Sequence, residues 1–190
     1  MSGLSVDEAK AWGALGHEVG ELLETMPKPT IAAINGFALG GGLELALACD
    51  LRYASSTARL GQPEINVGIV PGWGGTQRLA RVAGVGFAKA LILTGRPVDA
   101  DEALRRGLVD AVYEPADLLA KTLEMARLVA SKSPVALAAA KDAVNRALQG
   151  HHASNLHHEA DRFAELFTSE DAREGLAAFI EKREPRFVGR

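Results

Sequence analysis

Glu44 is the residue whose chemistry stands out first. It lies in Leu43-Glu44-Leu45-Ala46-Leu47-Ala48, a helical run with hardly a polar side chain. Its neighbours three and four positions away are Gly40, Gly41, Leu47 and Ala48, so no local Lys or Arg can pair with it. A carboxylate buried there is costly without a partner or a task, and the alternative is a narrow exposed face. The glycines Gly40-Gly41-Gly42 bear on that choice. They allow close backbone approach and leave N–H groups free at a helix start, where the helix dipole adds partial positive charge. Such a place suits a phosphate or an oxyanion formed during reaction, although a glycine run alone also serves tight packing. Glu64, in Gly61-Gln62-Pro63-Glu64, reads by itself as an exposed turn glutamate, but a second glycine cluster, Gly72 to Gly75, follows it closely. Two carboxylates with two glycine turns are more informative than any one of them, and they suit acid/base chemistry beside a developing negative charge.

The elements that must place these residues follow from periodicity and punctuation. Residues 5–26 predict an amphipathic helix: Ser5 and Glu8 form a capping box, and Val6, Trp12, Leu15, Val19, Leu22, Leu23 and Met26 recur at helical spacing. Pro27 and Pro29 end it. Thr30 to Asn35 predicts a buried strand, followed by a helix from about Gly42 to Cys49. Leu51 to Ala54 is a second strand, and Ile65 to Val70 a third short extended segment. Helices dominate from Gly75, over about 76–82 and 86–93, with another opened by Asp99 and Glu102 as a second capping box and stopped at Gly107. Val109 to Tyr113 is a last strand. Beyond Pro115 come helices over 117–131, from Pro134 behind a Ser133 cap, and over about 154–167 and 170–183. The organisation is thus an α/β core over 1–114 and a helical module over 115–190.

Bulk properties exclude several functions. The 190 residues are 47% hydrophobic and 24% charged with a net charge of −3, an ordinary globular balance that offers nothing to nucleic acid or an anionic membrane. Cys49 stands alone, so no intrachain disulfide forms and a reducing, cytoplasmic setting is expected. No apolar run has the length of a membrane span, and no signal peptide opens the chain. The glycines do not spell a dinucleotide fingerprint, and neither a phosphate loop nor a nucleophilic-serine elbow occurs. None of the histidines His17, His151, His152, His157 and His158 is four residues from another, so no helical zinc pair exists and no metal is expected; the doubled histidines read as a solvated helix face.

The stretch from Lys28 to Asp50, KPTIAAINGFALGGGLELALACD, resembles the signature of the enoyl-CoA hydratase/isomerase (crotonase) family. Gly61-Gln62-Pro63-Glu64 and Pro71-Gly72-Trp73-Gly74-Gly75-Thr76-Gln77-Arg78-Leu79 resemble its next motif, and Leu93-Thr94-Gly95, Gly107-Leu108-Val109 and Ala178 to Arg183 extend the likeness along the chain. The resemblance implies a ββα-spiral core with a C-terminal helical module used in trimerisation, commonly as a dimer of trimers. It implies an acyl-CoA thioester as substrate, with coenzyme A part of that substrate and no separate cofactor. One of two backbone donors to the thioester oxyanion falls at Gly41. Glutamates at both Glu44 and Glu64 resemble the hydratases, in which the pair holds a water between them, whereas many isomerases keep only the later glutamate. Gly40, Gly72, Phe163, Phe179 and Lys182 match substrate-binding positions; core aromatics and a solvated lysine are the plainer readings of the last three.

The resemblance also implies that the chain starts late. Family members carry roughly 60 more residues before this point, with the first strands and an Ala-Gly-x-Asp-type motif that supplies the other oxyanion N–H. Losing one such donor costs about 3–4 kcal/mol, or ~100–1000-fold in rate. The sequence therefore predicts a weak or inactive hydratase, with an isomerase, another crotonase-type enzyme or a non-catalytic oligomerising fragment as alternatives.

Overall fold

The structure is a computed structural model that describes residues 3–190. The chain divides into two units, the first taking it up to Glu24 and then Thr30–Leu123, the second Thr25–Pro29 and Glu124–Arg190.

In the first unit, helix α1 (Val6–Thr25) opens on the expected capping box, with the Ser5 amide donating to Glu8 at 2.7 Å and the Glu8 amide to Ser5 Oγ at 3.2 Å. Its inward face is made of glycine: Gly16 and Gly20 are buried, while Leu15, Val19 and Leu22 of the apolar stripe are exposed. Strands β1 (Ile31–Ile34), β3 (Leu51–Ser55) and β6 (Ala111–Tyr113) form one parallel sheet in the order β1-β3-β6. Strands β2 (Phe37–Leu39), β4 (Arg59–Gly61) and β5 (Val98–Asp99) form a second, in which β2 runs parallel to β4 and β5 antiparallel to it. Twice the chain lays one strand in each sheet and then helix, as β1, β2 and α2 (Gly41–Ala48) and as β3 and β4 followed by α3 (Gly75–Ala83) and α4 (Val85–Thr94); last come β5, α5 (Ala100–Arg105) and β6, with the helix between the two strands. This is a ββα spiral. Leu43, Leu60, Leu79 and Leu108 are fully buried between its layers, each stabilising the fold by about 2 kcal/mol.

Local expectation and structure differ at three places. Ile65–Val70 is not extended, because Pro63–Val67 form a 3-10 helix with Pro63 pre-set for its first turn and left-handed Gly68 (φ 79°) closing it. Strand β1 is less buried than its apolar composition suggested: Ala33 is exposed and only Ile34 is buried, as befits the sheet-edge position of β1. Asp99 caps the Glu102 amide at 2.8 Å, but the Glu102 carboxylate turns to Arg105 and Arg106 rather than completing a capping box.

The second unit carries most of α6 (Leu118–Ala130), then α7 (Pro134–Asn145), α8 (His152–Leu166) and α9 (Glu170–Glu181). Asp171 organises it: the buried carboxylate accepts from Ser133 Oγ at 2.6 Å and from the Val188 and Gly189 amides at 2.7 and 3.1 Å, fixing the C-terminal tail. Burial pushes this carboxyl up, but Ser133 and the two amides outweigh it and its pKa is lowered. His158 is not simply solvated, since Nε2 meets Asp142 at 2.6 Å between α7 and α8.

Candidate active site

The parallel register of β2 and β4 brings the two sequence motifs together. Leu39 pairs with Gly61, so the next residues, Gly40 and Gln62, leave the carboxyl ends of neighbouring strands side by side. The Gly40 amide donates to the Gly61 carbonyl at 3.0 Å and ties the two exits to each other. Gly40 then turns with φ 55° and ψ −125°, a conformation open to glycine alone, and the chain enters α2 with Gly41 as its first residue. The Gly41 amide, in the first helical turn, has no intrahelical acceptor.

Glu44 lies one turn further on and is 3% exposed, among Leu43, Ala46 and Leu47, so the exposed-face alternative is excluded. Its Oε1 accepts two backbone hydrogen bonds, from Trp73 at 2.7 Å and Gly75 at 2.8 Å. The second glycine cluster therefore serves the first glutamate.

Glu64 occupies the first turn of the 3-10 helix and is half-buried. Its Oε1 would stand 2.8 Å from a Cβ at Gly40, so the carboxylate hangs over the start of the helix that bears Glu44 and only glycine leaves it room. Burial pushes the Glu64 carboxyl up, its own backbone amide pulls it down, and the charge of Glu44 pushes it up again, leaving it above the ordinary carboxylate range.

Gln62 was not legible as a site residue. It is fully buried, and in the orientation that satisfies its neighbours its amide nitrogen donates to both Glu64 oxygens, at 3.0 and 3.1 Å. Its side chain also fills the space in front of Gly75, where an added Cβ would meet the other end of the Gln62 amide at 2.6 Å and Glu44 Cγ at 3.0 Å. Gln62 thus sits between the two glutamates. The one sequence signal was its place between Gly61 and Pro63, in the motif that carries Glu64.

The remaining expected residues divide between the units. Gly72 is exposed in the turn before Trp73. Phe163, Phe179 and Lys182 belong to the second unit, where Phe163 packs edge-to-face on Phe167 with ring centroids 5.1 Å apart and Phe179 is 84% exposed. Lys182 is the C-cap of α9, with φ 56°. Among the described residues no helix is long and apolar enough to cross a membrane, and no group of three or more His, Cys, Asp or Glu is arranged to hold a metal ion.

The architecture and the paired motifs define a spiral-fold family. The sequence model of the enoyl-CoA hydratase/isomerase family matches residues 5–190, and the chain belongs to that family. It is 49% identical over 183 residues to the short-chain-enoyl-CoA hydratase of Clostridium acetobutylicum, covering 96% of this chain and 70% of that one. It is 47% identical over 190 residues to the crotonyl-CoA hydratase of Syntrophomonas wolfei, covering 100% and 73%. The crystal structure of an enoyl-CoA hydratase from Bacillus anthracis superposes with a TM-score of 0.95 at 42% identity, over 100% of this chain and 73% of that one.

Proposed function

We propose that the chain catalyses reversible addition of water to a short-chain trans-2-enoyl-CoA, giving the 3-hydroxyacyl-CoA. The observation that carries this reading is the convergence of Glu44 and Glu64 on the first turn of α2, with Gln62 between them. Trp73 and Gly75 engage Oε1 of Glu44 and leave Oε2 to take a proton from water. As that proton leaves, the water oxygen bonds to C3 of the enoyl group and the C2–C3 π electrons move toward the thioester. Negative charge then collects on the thioester oxygen, where the Gly41 amide and the α2 dipole stabilise it. Glu64, with its raised pKa, holds a proton nearer neutral pH than an ordinary glutamate and delivers it to C2. Water is the only co-reactant, so no cofactor is required. The activities for which the two relatives are named support a crotonyl-type substrate. The direct test follows hydration of crotonyl-CoA by loss of the conjugated thioester absorbance: turnover, however slow, that Glu44→Gln abolishes supports the reading, and turnover that Glu44→Gln leaves intact sinks it.

Exposed Leu176, Phe179 and Ile180 on α9 support use of the helical unit in a trimer or dimer of trimers, to be checked by the mass of the particle in solution.

Gln62→Leu keeps the side-chain volume and removes the donor to Glu64. The charged form loses two hydrogen bonds, so the proton is held more tightly and the Glu64 pKa rises further. With Glu64 as the acid, the alkaline limb of the pH–rate profile moves to higher pH. An unmoved limb excludes this role for Gln62.

A further inference from the structure

The amides that hold Glu44 belong to the turn Pro71 to Gly75, which lies outside every helix and strand until α3 begins at Gly75. On the side away from Glu44, one side chain braces that turn. Arg78, in the first turn of α3, folds back over it: Nη1 donates to the Trp73 carbonyl at 2.8 Å and occupies the space that a Cβ on Gly74 would need. Gly74 itself has φ 101°, a conformation that the arginine locks from above. The rest of the guanidinium fork reaches α1, where Nε and Nη2 donate to the two Glu24 oxygens at 2.8 and 2.9 Å. The Arg78 side chain is 12% exposed and that of Glu24 35%, so the pair is largely shielded and bidentate, the stronger class of ion pair.

The glycines of α1 make this possible. A Cβ at Gly20 would lie 2.7 Å from Arg78 Nη2, and one at Gly16 would collide with the Trp73 ring. The Trp73 ring also rests against Gly41, 3.0 Å from where a Cβ there would stand, and meets Trp12 with centroids 4.7 Å apart. The glycine face of α1 is therefore a seat for the two side chains that flank the amides holding Glu44.

We propose that Arg78 is a positioning residue for hydration: by bridging Glu24 to the Trp73 carbonyl it fixes the turn whose amides orient Glu44, and α1 acts through it on the site. This rests on Glu44 being part of the acid/base pair. Lysine cannot replace Arg78, because it cannot bond the carboxylate and the carbonyl in one rigid fork.

The test uses the full chain with Arg78→Met, Arg78→Lys and Glu24→Gln, which attack the bridge from both sides, each alone and combined with Glu44→Gln. Arg78→Met should lower kcat for crotonyl-CoA by ~10–100-fold, the scale of a carboxylate misplaced by about 1 Å, with KM changed by less than about threefold. Arg78→Lys and Glu24→Gln should fall between it and the parent. In the Glu44→Gln background Arg78→Met should cost nothing more, because the group it orients is gone. Hydrogen exchange of the Trp73 and Gly75 amides should accelerate in each bridge variant. Unchanged exchange in Arg78→Met overturns the proposal whatever the activity does, and so does a full additional loss in the Glu44→Gln background. Full activity in Glu44→Gln alone overturns instead the acid/base reading, which exchange does not touch.

Discussion

Glu44→Gln is expected to lower hydration of crotonyl-CoA by ~10²–10⁴-fold, the range lost when a positioned acid or base is removed. The substitution is nearly isosteric and leaves an amide oxygen able to accept from Trp73 and Gly75, so folding and Tm should change little. What disappears is a carboxylate that takes the proton of water. Glu64→Gln should cost as much, for the complementary reason that no proton is then delivered to C2. The double variant should be scarcely worse than either single one, since the two act on one water as a unit. A product of the two single losses in the double variant would mean that the glutamates act independently, and the paired mechanism would fall. Glu44→Gln also separates hydration from double-bond migration. Migration that relies on Glu64 alone should survive it, so a variant that loses hydration but keeps migration identifies Glu44 as the water-activating group.

Gly75→Ala is the second large effect, and it tests space rather than charge. The added methyl would stand 2.6 Å from the end of the Gln62 amide turned away from Glu64, 2.9 Å from Gln62 Cδ and 3.0 Å from Glu44 Cγ, so the carboxylate of one motif and the amide beside the other must both move. Gly75 is a helical residue with no positive φ, so alanine fits its backbone and the cost arises from the crowding. Overpacking of this kind costs about 1–3 kcal/mol of stability. Displacing both acid/base positions should lower kcat by ~100-fold. Gly36→Ala is the control, because nothing lies within 4 Å of the position its Cβ would take. Wild-type kcat in Gly75→Ala would mean that Gln62 and Glu44 tolerate displacement, and that their packing against Gly75 is incidental.

The sequence by itself determined the local grammar of this protein and the chemical oddity of Glu44. The Ser5, Asp99 and Ser133 caps, the helices and the main strands were readable because each depends on residues within one or two turns of each other. Glu44 was readable because an unpaired charge in an apolar helix is anomalous at helical spacing alone. Glu64 was not: by itself it was an ordinary turn glutamate, and its surroundings were expected to be extended.

Tertiary structure decided the rest. Strands β2, β4 and β5 span only two or three residues, too few to show alternation, yet the β2–β4 register is what sets Gly40 beside Gln62. The partners of Glu44 lie 29 and 31 residues away, and Glu24 reaches Arg78 across 54. No periodicity carries such distances, because they are fixed by which strands pair and which helices pack. The same applies to α1, whose apolar stripe was legible although the face that matters is the glycine one. That face is defined only by the Trp73 ring and the Arg78 guanidinium that fill it.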